Sequence, residues 1–269
     1  MRVLQRLTIL LFLLILAAFA AYKALDILVI DHAPPVIRMD TDIVEISVND
    51  PRETLLSGIT ASDRHDGDLT SEVIIRGISQ LITDDSARVY YVVFDKAGNM
   101  AVAQRTVRYT DYEKPHFSLR EPLVFPQHDT IFVDDLLHAS DRIDGDLSKA
   151  IRVTTQNVNT ALEGTYSLSI MVTNSLGDSE TLSLPVIVNT SSANCRQLRL
   201  SRYILYLDRG EAFDPLSMIT AMYDNTGKLI TTDTDEVVIA GQVDTETTGV
   251  YNLLYTYETY SVYLTVVVK

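Results

Sequence analysis

Polar and apolar residues alternate along Tyr166–Thr173, with Tyr166, Leu168, Ile170 and Val172 on one side and mostly polar residues on the other. A period of two is that of a half-buried antiparallel strand. The same alternation returns at Leu182, Leu184, Val186 and Val188. It appears again at Tyr251, Leu253, Tyr255 and Tyr257, answered by Val262, Leu264, Val266 and Val268. Short turn sequences separate such runs: Ser175-Leu176-Gly177-Asp178 in one case, and Lys96-Ala97-Gly98-Asn99 between Val89–Phe94 and Met100–Tyr109 in another. This arrangement predicts hairpins. Shorter β-branched runs at Val36–Met39, Ile43–Val48 and Val73–Arg76 add strands to the first set. Pro185 has no N–H to give a ladder, so an edge or a bulge is expected there.

One segment departs from this pattern. Between Arg2 and Arg6 on one side and Lys23 on the other, Leu7 to Tyr22 carries no charge. As a helix this run is roughly 24 Å long, short of a hydrocarbon core of about 30 Å unless its flanks snorkel. The basic start places the N-terminus in the cytoplasm. Ala18-Phe19-Ala20 before Ala21 also fits a signal-peptidase site, so the segment is either a retained signal anchor or a cleaved signal. Both outcomes export the chain beyond Lys23. No cysteine stands after the run to take a lipid, and TVVVK at the C-terminus is no sorting tail, so attachment is expected at the N-terminus.

Two nine-residue stretches, ASDRHDGDL at 61–69 and ASDRIDGDL at 139–147, lie 78 positions apart and differ only at His65 and Ile143. Such a repeat marks a duplicated module, and its period fits three modules in 269 residues. The expected organisation is a cytoplasmic stub, transmembrane anchor and connector over 1–32, then modules at 33–111, 112–190 and 191–269. Pro34 and Pro35 stiffen the first connection and bar helix continuation. In the third module Asp224-Asn225-Thr226-Gly227 replaces the acidic turn, and Gly249-Val250-Tyr251 matches Gly164-Thr165-Tyr166. Modules near 80 residues are smaller than antibody-type sandwiches of about 100, so few and short strands are expected.

The Pro-Pro-Val-Ile start, the ASDRxDGDL turn, the Gly-x-Tyr strand entry and the Lys-Ala-Gly-Asn hairpin together resemble bacterial surface immunoglobulin-like repeats. Modules of that kind also occur in insecticidal crystal toxins and hyalin-type repeats. The first two modules carry the resemblance closely, and the third is similar to a neighbouring bacterial immunoglobulin-like group. The resemblance spans about residues 33 to 269. It implies an all-β chain of three tandem Greek-key sandwiches after an N-terminal hydrophobic helix, in a cell-surface or envelope setting, without catalytic activity.

Composition narrows the partners. Acidic residues number 36 against 22 basic, a formal net charge of −14. Beyond Lys23 the balance is 19 basic against 36 acidic, about −17. That charge repels nucleic acid, and a nucleic-acid partner is not expected. With Cys195 alone, no intrachain disulfide forms and the sandwiches must hold by packing.

Two groups of residues are candidates for binding. Asp63, Asp66 and Asp68, and again Asp141, Asp144 and Asp146, place three carboxylates within six residues, a density of hard oxygen ligands that suits Ca²⁺. The spacing is not that of an EF-hand. The competing reading is turn capping through backbone N–H groups. Tyrosine is the second signal, with eight of the 14 in the third module. Tyr260, in a turn, and Tyr263, out of phase with the inward set, are expected to be exposed and to contact a ligand or partner. The five histidines show no zinc-hydrolase spacing, and no nucleophile elbow or phosphate loop is present. No cofactor is required beyond this Ca²⁺. The expected function is a non-enzymatic, membrane-anchored surface protein presenting its modules for spacing, adhesion or protein assembly. The alternative is a carbohydrate-binding accessory protein, with an envelope protein or a glycan as partner.

Overall fold

The computed structural model describes residues 2–29, 31–131, 133, 135–190, 198–223, 228–230 and 236–269. Cys195 and the 224–227 turn lie outside the described residues. The chain divides into two compact units, Met1–Tyr112 and Glu113–Lys269.

The first unit opens with α1 (Arg2–Val29), 28 residues and about 42 Å long. It runs well past the uncharged segment, through Lys23 and Asp26, and stops five residues before Pro34. From Gln5 to Lys23 every side chain is exposed. Seven strands come next: β1 (Val36–Met39), β2 (Ile43–Ile46), β3 (Ile59–Asp63), β4 (Gly67–Asp68), β5 (Ile74–Ile78), β6 (Ser86–Phe94) and β7 (Met100–Tyr109). They form a three-stranded sheet, β1-β3-β4, and a four-stranded sheet, β2-β7-β6-β5. The chain changes sheets between β1 and β2, and β2 then pairs parallel to β7.

The second unit repeats this plan twice. Its first set is β8 (His116–Leu119), β9 (Val124–Pro126), β10 (Leu137–Asp141), β11 (Gly145–Asp146), β12 (Arg152–Gln156), β13 (Gly164–Thr173) and β14 (Ser179–Asn189). The other is β15 (Leu198–Leu200), β16 (Ile204–Leu207), β17 (Ile219–Tyr223), β18 (Leu229–Ile230), β19 (Val238–Ala240), β20 (Gly249–Tyr257) and β21 (Tyr260–Val268). The sheet orders, β11-β10-β8 with β12-β13-β14-β9 and β15-β17-β18 with β16-β21-β20-β19, are those of the first unit. The chain is therefore all-β after α1, in successive two-sheet sandwiches. Among the described residues each set holds seven strands, more than the module length alone predicts, because several are only two to four residues long.

The alternating runs bury the side they were expected to bury. Leu168, Ile170 and Val172 face Leu182, Leu184, Val186 and Val188 inside one sandwich. Each fully buried side chain of this kind contributes about 1.5–3 kcal/mol. The hairpins between long strands turn through Asp95–Asn99 and Asn174–Asp178. Gly98 and Gly177 take φ of 88° and 78° there, a region costly for any residue with a Cβ. Pro185 sits opposite Ser167 without a bulge, before the Ile187–Asn189 stretch that pairs with β9, so its other edge has no ladder to complete.

Within the second unit the two sandwiches share one apolar cluster, from Phe117 and Leu119 through Leu184 to Tyr203, Leu205 and Val266. The main-chain N–H of Phe117 donates to the Tyr206 hydroxyl at 3.0 Å. The His116 and Tyr206 rings meet edge to face, centroids 4.5 Å apart.

Candidate functional site

The duplicated acidic turn is built the same way in both copies. Asp63 Oδ1 accepts from the N–H of His65 (2.6 Å) and Asp66 (3.0 Å), closing the turn between β3 and β4. Asp66 Oδ2 reaches across to the β6–β7 hairpin and accepts from the Lys96 N–H at 2.7 Å. The Lys96 ammonium lies 3.3 Å from its other oxygen. Asp68 Oδ1 accepts from the Thr70 N–H at 2.9 Å. In the second copy Asp141 receives Ile143 and Asp144, Asp144 receives the Ser175 N–H at 2.6 Å, and Asp146 receives Ser148 through both N–H and hydroxyl. Asn174 Nδ2 also donates to Asp141 Oδ2 at 2.9 Å.

These donors set the electrostatics. The N–H groups of Asp66 and His65 hold the Asp63 carboxyl below the usual carboxylate range. Asp68 is lowered by the Thr70 hydroxyl and N–H, and Asp146 likewise by Ser148. Hydrogen bonds to the charged form favour it.

The aspartate triads do not converge on a point. Each carboxylate turns toward a main-chain donor rather than toward its neighbours. Among the described residues the ligand atoms that do gather, within 4.8 Å of one another, belong to Asp31, Asp63 and His65. His65 Nδ1 lies 2.9 Å from Asp31 Oδ2, and Asn99 Nδ2 fixes the Asp31 carbonyl at 2.9 Å. Sequence reasoning did not place Asp31 in this group. The signal was present, since His65 is the position at which the two nonapeptides differ.

The tyrosines of the third set sit differently from the expectation. Tyr260, expected in an exposed turn, is 3% exposed. It opens β21 directly opposite Tyr257 because the turn is only Glu258-Thr259, with Glu258 at φ 51°. Tyr263 does point away from its own core. It lines a crevice with Leu119, Leu123, Leu184 and Pro185 of the preceding sandwich, so its neighbour is this chain itself. None of the eight tyrosines between Tyr203 and Tyr263 is exposed. Burial pushes the Tyr206 hydroxyl up to about 12 and raises Tyr255 further.

Among the described residues Ser148 Oγ lies 3.3 Å from His138 Nδ1. The carboxylate of Asp146 engages the serine rather than the imidazole. A nucleophile needs the base oriented by the third group, and this order does not supply that.

Comparison with known proteins agrees with this architecture. A family model described as bacterial surface protein, Ig-like domain, matches residues 122–188, and one described as bacterial Ig-like domain (group 3) matches residues 208–268. The pesticidal crystal protein Cry22Aa of Bacillus thuringiensis is 31% identical over 122 residues, 44% of this chain and 16% of that protein. The chain thus spans about a sixth of that relative's length. Among solved structures, the CBM51-2 domain in complex with GlcNAc and the INT domains of Clostridium perfringens ZmpB align at 20% identity. That match covers 55% of this chain and 26% of that one, with a TM-score of 0.24. Drosophila N-cadherin EC1-3 aligns at 13% identity over 85% of this chain and 98% of that one, with a TM-score of 0.30. Over residues 122–188 the chain is therefore similar to bacterial surface-protein immunoglobulin-like domains, and over residues 208–268 to bacterial immunoglobulin-like domains of group 3.

Proposed function

We propose that this chain is a non-enzymatic bacterial surface protein, held in the membrane by α1 and presenting tandem immunoglobulin-like modules outside the cell. The three modules are those of 33–111, 112–190 and 191–269. The observation that carries the reading is α1 itself: from Gln5 to Lys23 it is apolar, free of acidic residues and exposed along its whole length. Such a surface is stable in lipid and not in water. The sandwiches beyond it supply rigid bodies for spacing, adhesion or assembly. Two of them are joined by a shared core, which suits a stiff spacer.

Intact cells treated with a protease, with lysed cells as control, test the orientation. The account expects the modules to be cleaved from intact cells, leaving a membrane-bound N-terminal fragment. Full protection on intact cells, lost only on lysis, would contradict it.

A further inference from the structure

The outer face of the β2-β7-β6-β5 sheet is graded along its strands. Nearest the β6–β7 hairpin, Phe94 pairs with Met100. The next row is Ile74, Val92 and Val102, followed by Tyr90 with Gln104. Farther from the hairpin come Arg88, Thr106 and Ile43, then Ser86, Arg108 and Glu45. Ile74, Tyr90, Phe94, Met100 and Val102 are between 38% and 59% exposed. Nothing in the fold requires this. In the same register the second copy has Thr173 with Ser179, then Arg152, Met171 and Thr181, then Ser169 with Ser183.

The apolar end of this face is also the end at which the chain arrives. Asn99, next to Met100, donates through Nδ2 to the carbonyls of Asp31 and Ala33, and Asp31 is two residues past the end of α1. From Lys23 to Val29 the helix rises about 9 Å. The polar layer on each side of a bilayer is roughly 5–8 Å thick. Two further residues reach at most about 7 Å. A hairpin tied to Asp31 therefore lies within about 11 Å of the lipid surface if Gln5–Lys23 spans the core. The rim of this end carries charges of both signs: the Lys96 side chain is 82% exposed and paired with Asp66, and Arg64 is exposed between Asp63 and Asp66 in the turn braced against that hairpin. Apolar rows with a tyrosine behind them and charges of both signs at their rim match the boundary between acyl chains and phospholipid headgroups.

We propose that the hairpin end of this sheet face, centred on Phe94, Met100 and Val102, rests on the phospholipid surface from which the chain emerges, fixing the first module against the membrane. This rests on the reading of α1 as a retained anchor.

The test uses the full chain in a Cys195→Ser background, reconstituted into vesicles of phosphatidylcholine and phosphatidylglycerol. An environment-sensitive fluorophore is placed at Val102→Cys or at the register-equivalent Thr181→Cys. Flotation is measured first: a chain that does not float with the vesicles overturns the anchor reading and this proposal with it. In a floating chain, the label at 102 is expected to shift to the blue and to lose most of its emission to a headgroup-borne quencher, while the label at 181 does neither. Equal, water-like emission from both labels in a floating chain overturns the docking alone. So does cross-linking of one 102 position to another without lipid quenching, which would assign the face to a second copy. Replacing Phe94→Thr and Met100→Ser, the residues the second copy carries, is expected to abolish the quenching at 102 without changing the melting temperature.

Discussion

The Tyr206 hydroxyl accepts a hydrogen bond from the main-chain N–H of the buried Phe117 at 3.0 Å, joining the second sandwich to the third through a partly buried contact. Tyr206→Phe leaves that N–H without its acceptor. An unsatisfied buried polar group costs about 1–3 kcal/mol. Urea unfolding is expected to show that loss, with the two sandwiches beginning to melt separately. An unchanged single transition would deny the contact a coupling role.

His116 packs on the same tyrosine and should make the joint sensitive to acid. Burial, and then the Lys269 ammonium, lower its pKa, against an opposing effect of Glu113. A histidine lowered in the folded state is held neutral, so its contribution is complete above the unfolded value near 6.5 and is lost as pH falls below it. The second unit is expected to melt at a lower temperature at about pH 5.5 than at about pH 7.5. In His116→Asn the difference should shrink, and an identical shift in that variant would exclude His116 as its source.

Arg105 and Tyr91 form a polar pair inside the first sandwich. Arg105 Nε donates to the Tyr91 hydroxyl at 3.0 Å and Nη2 donates to the carbonyls of Leu55 and Ser57. In the same register the second copy holds Leu184 and Ile170. Arg105→Ala leaves the Ser57 carbonyl without its donor, while Leu55 keeps the Tyr91 hydroxyl at 2.7 Å, and is expected to cost about 1–3 kcal/mol. The double change Tyr91→Ile with Arg105→Leu takes the remaining donor from the Leu55 carbonyl as well and should cost more than the single change. Thermal melts of the single and double variants decide this, and a double variant at least as stable as the single would refute it.

The acidic turns should act as braces. Asp66→Ala and Asp144→Ala each release a hairpin N–H, Lys96 in one copy and Ser175 in the other, to water, with an expected loss of about 0.5–1.5 kcal/mol. Asp63, Asp68 and Asp146 are lowered below the ordinary value near 3.8. Their contribution is present above that value and lost as pH falls through the lowered one. Stability measured from about pH 4 down to about pH 2 should therefore fall less steeply in Asp68→Asn and Asp146→Asn than in the parent. Equal slopes would show that these carboxylates carry none of the acid sensitivity.

Period two made the long strands legible, and the burial of Leu168, Leu184 and Leu253 stems directly from it. Short strands escaped: β4 and β11 are two residues each and carry no period. The phase of Tyr263 was readable, but its neighbour across the crevice was not, because contact with the preceding sandwich depends on how two folded bodies meet. Tyr260 was misplaced by one turn residue, enough to carry it from the surface to the core. The aspartates were legible as a repeated device, and the direction each carboxylate takes emerged only with the hairpins in place.

N-terminal sequencing of the protein recovered from alkali-washed cell membranes tests the central claim most directly. The account predicts that it resists extraction and begins ahead of Leu7, with α1 intact. A soluble form beginning at Ala21 would contradict it.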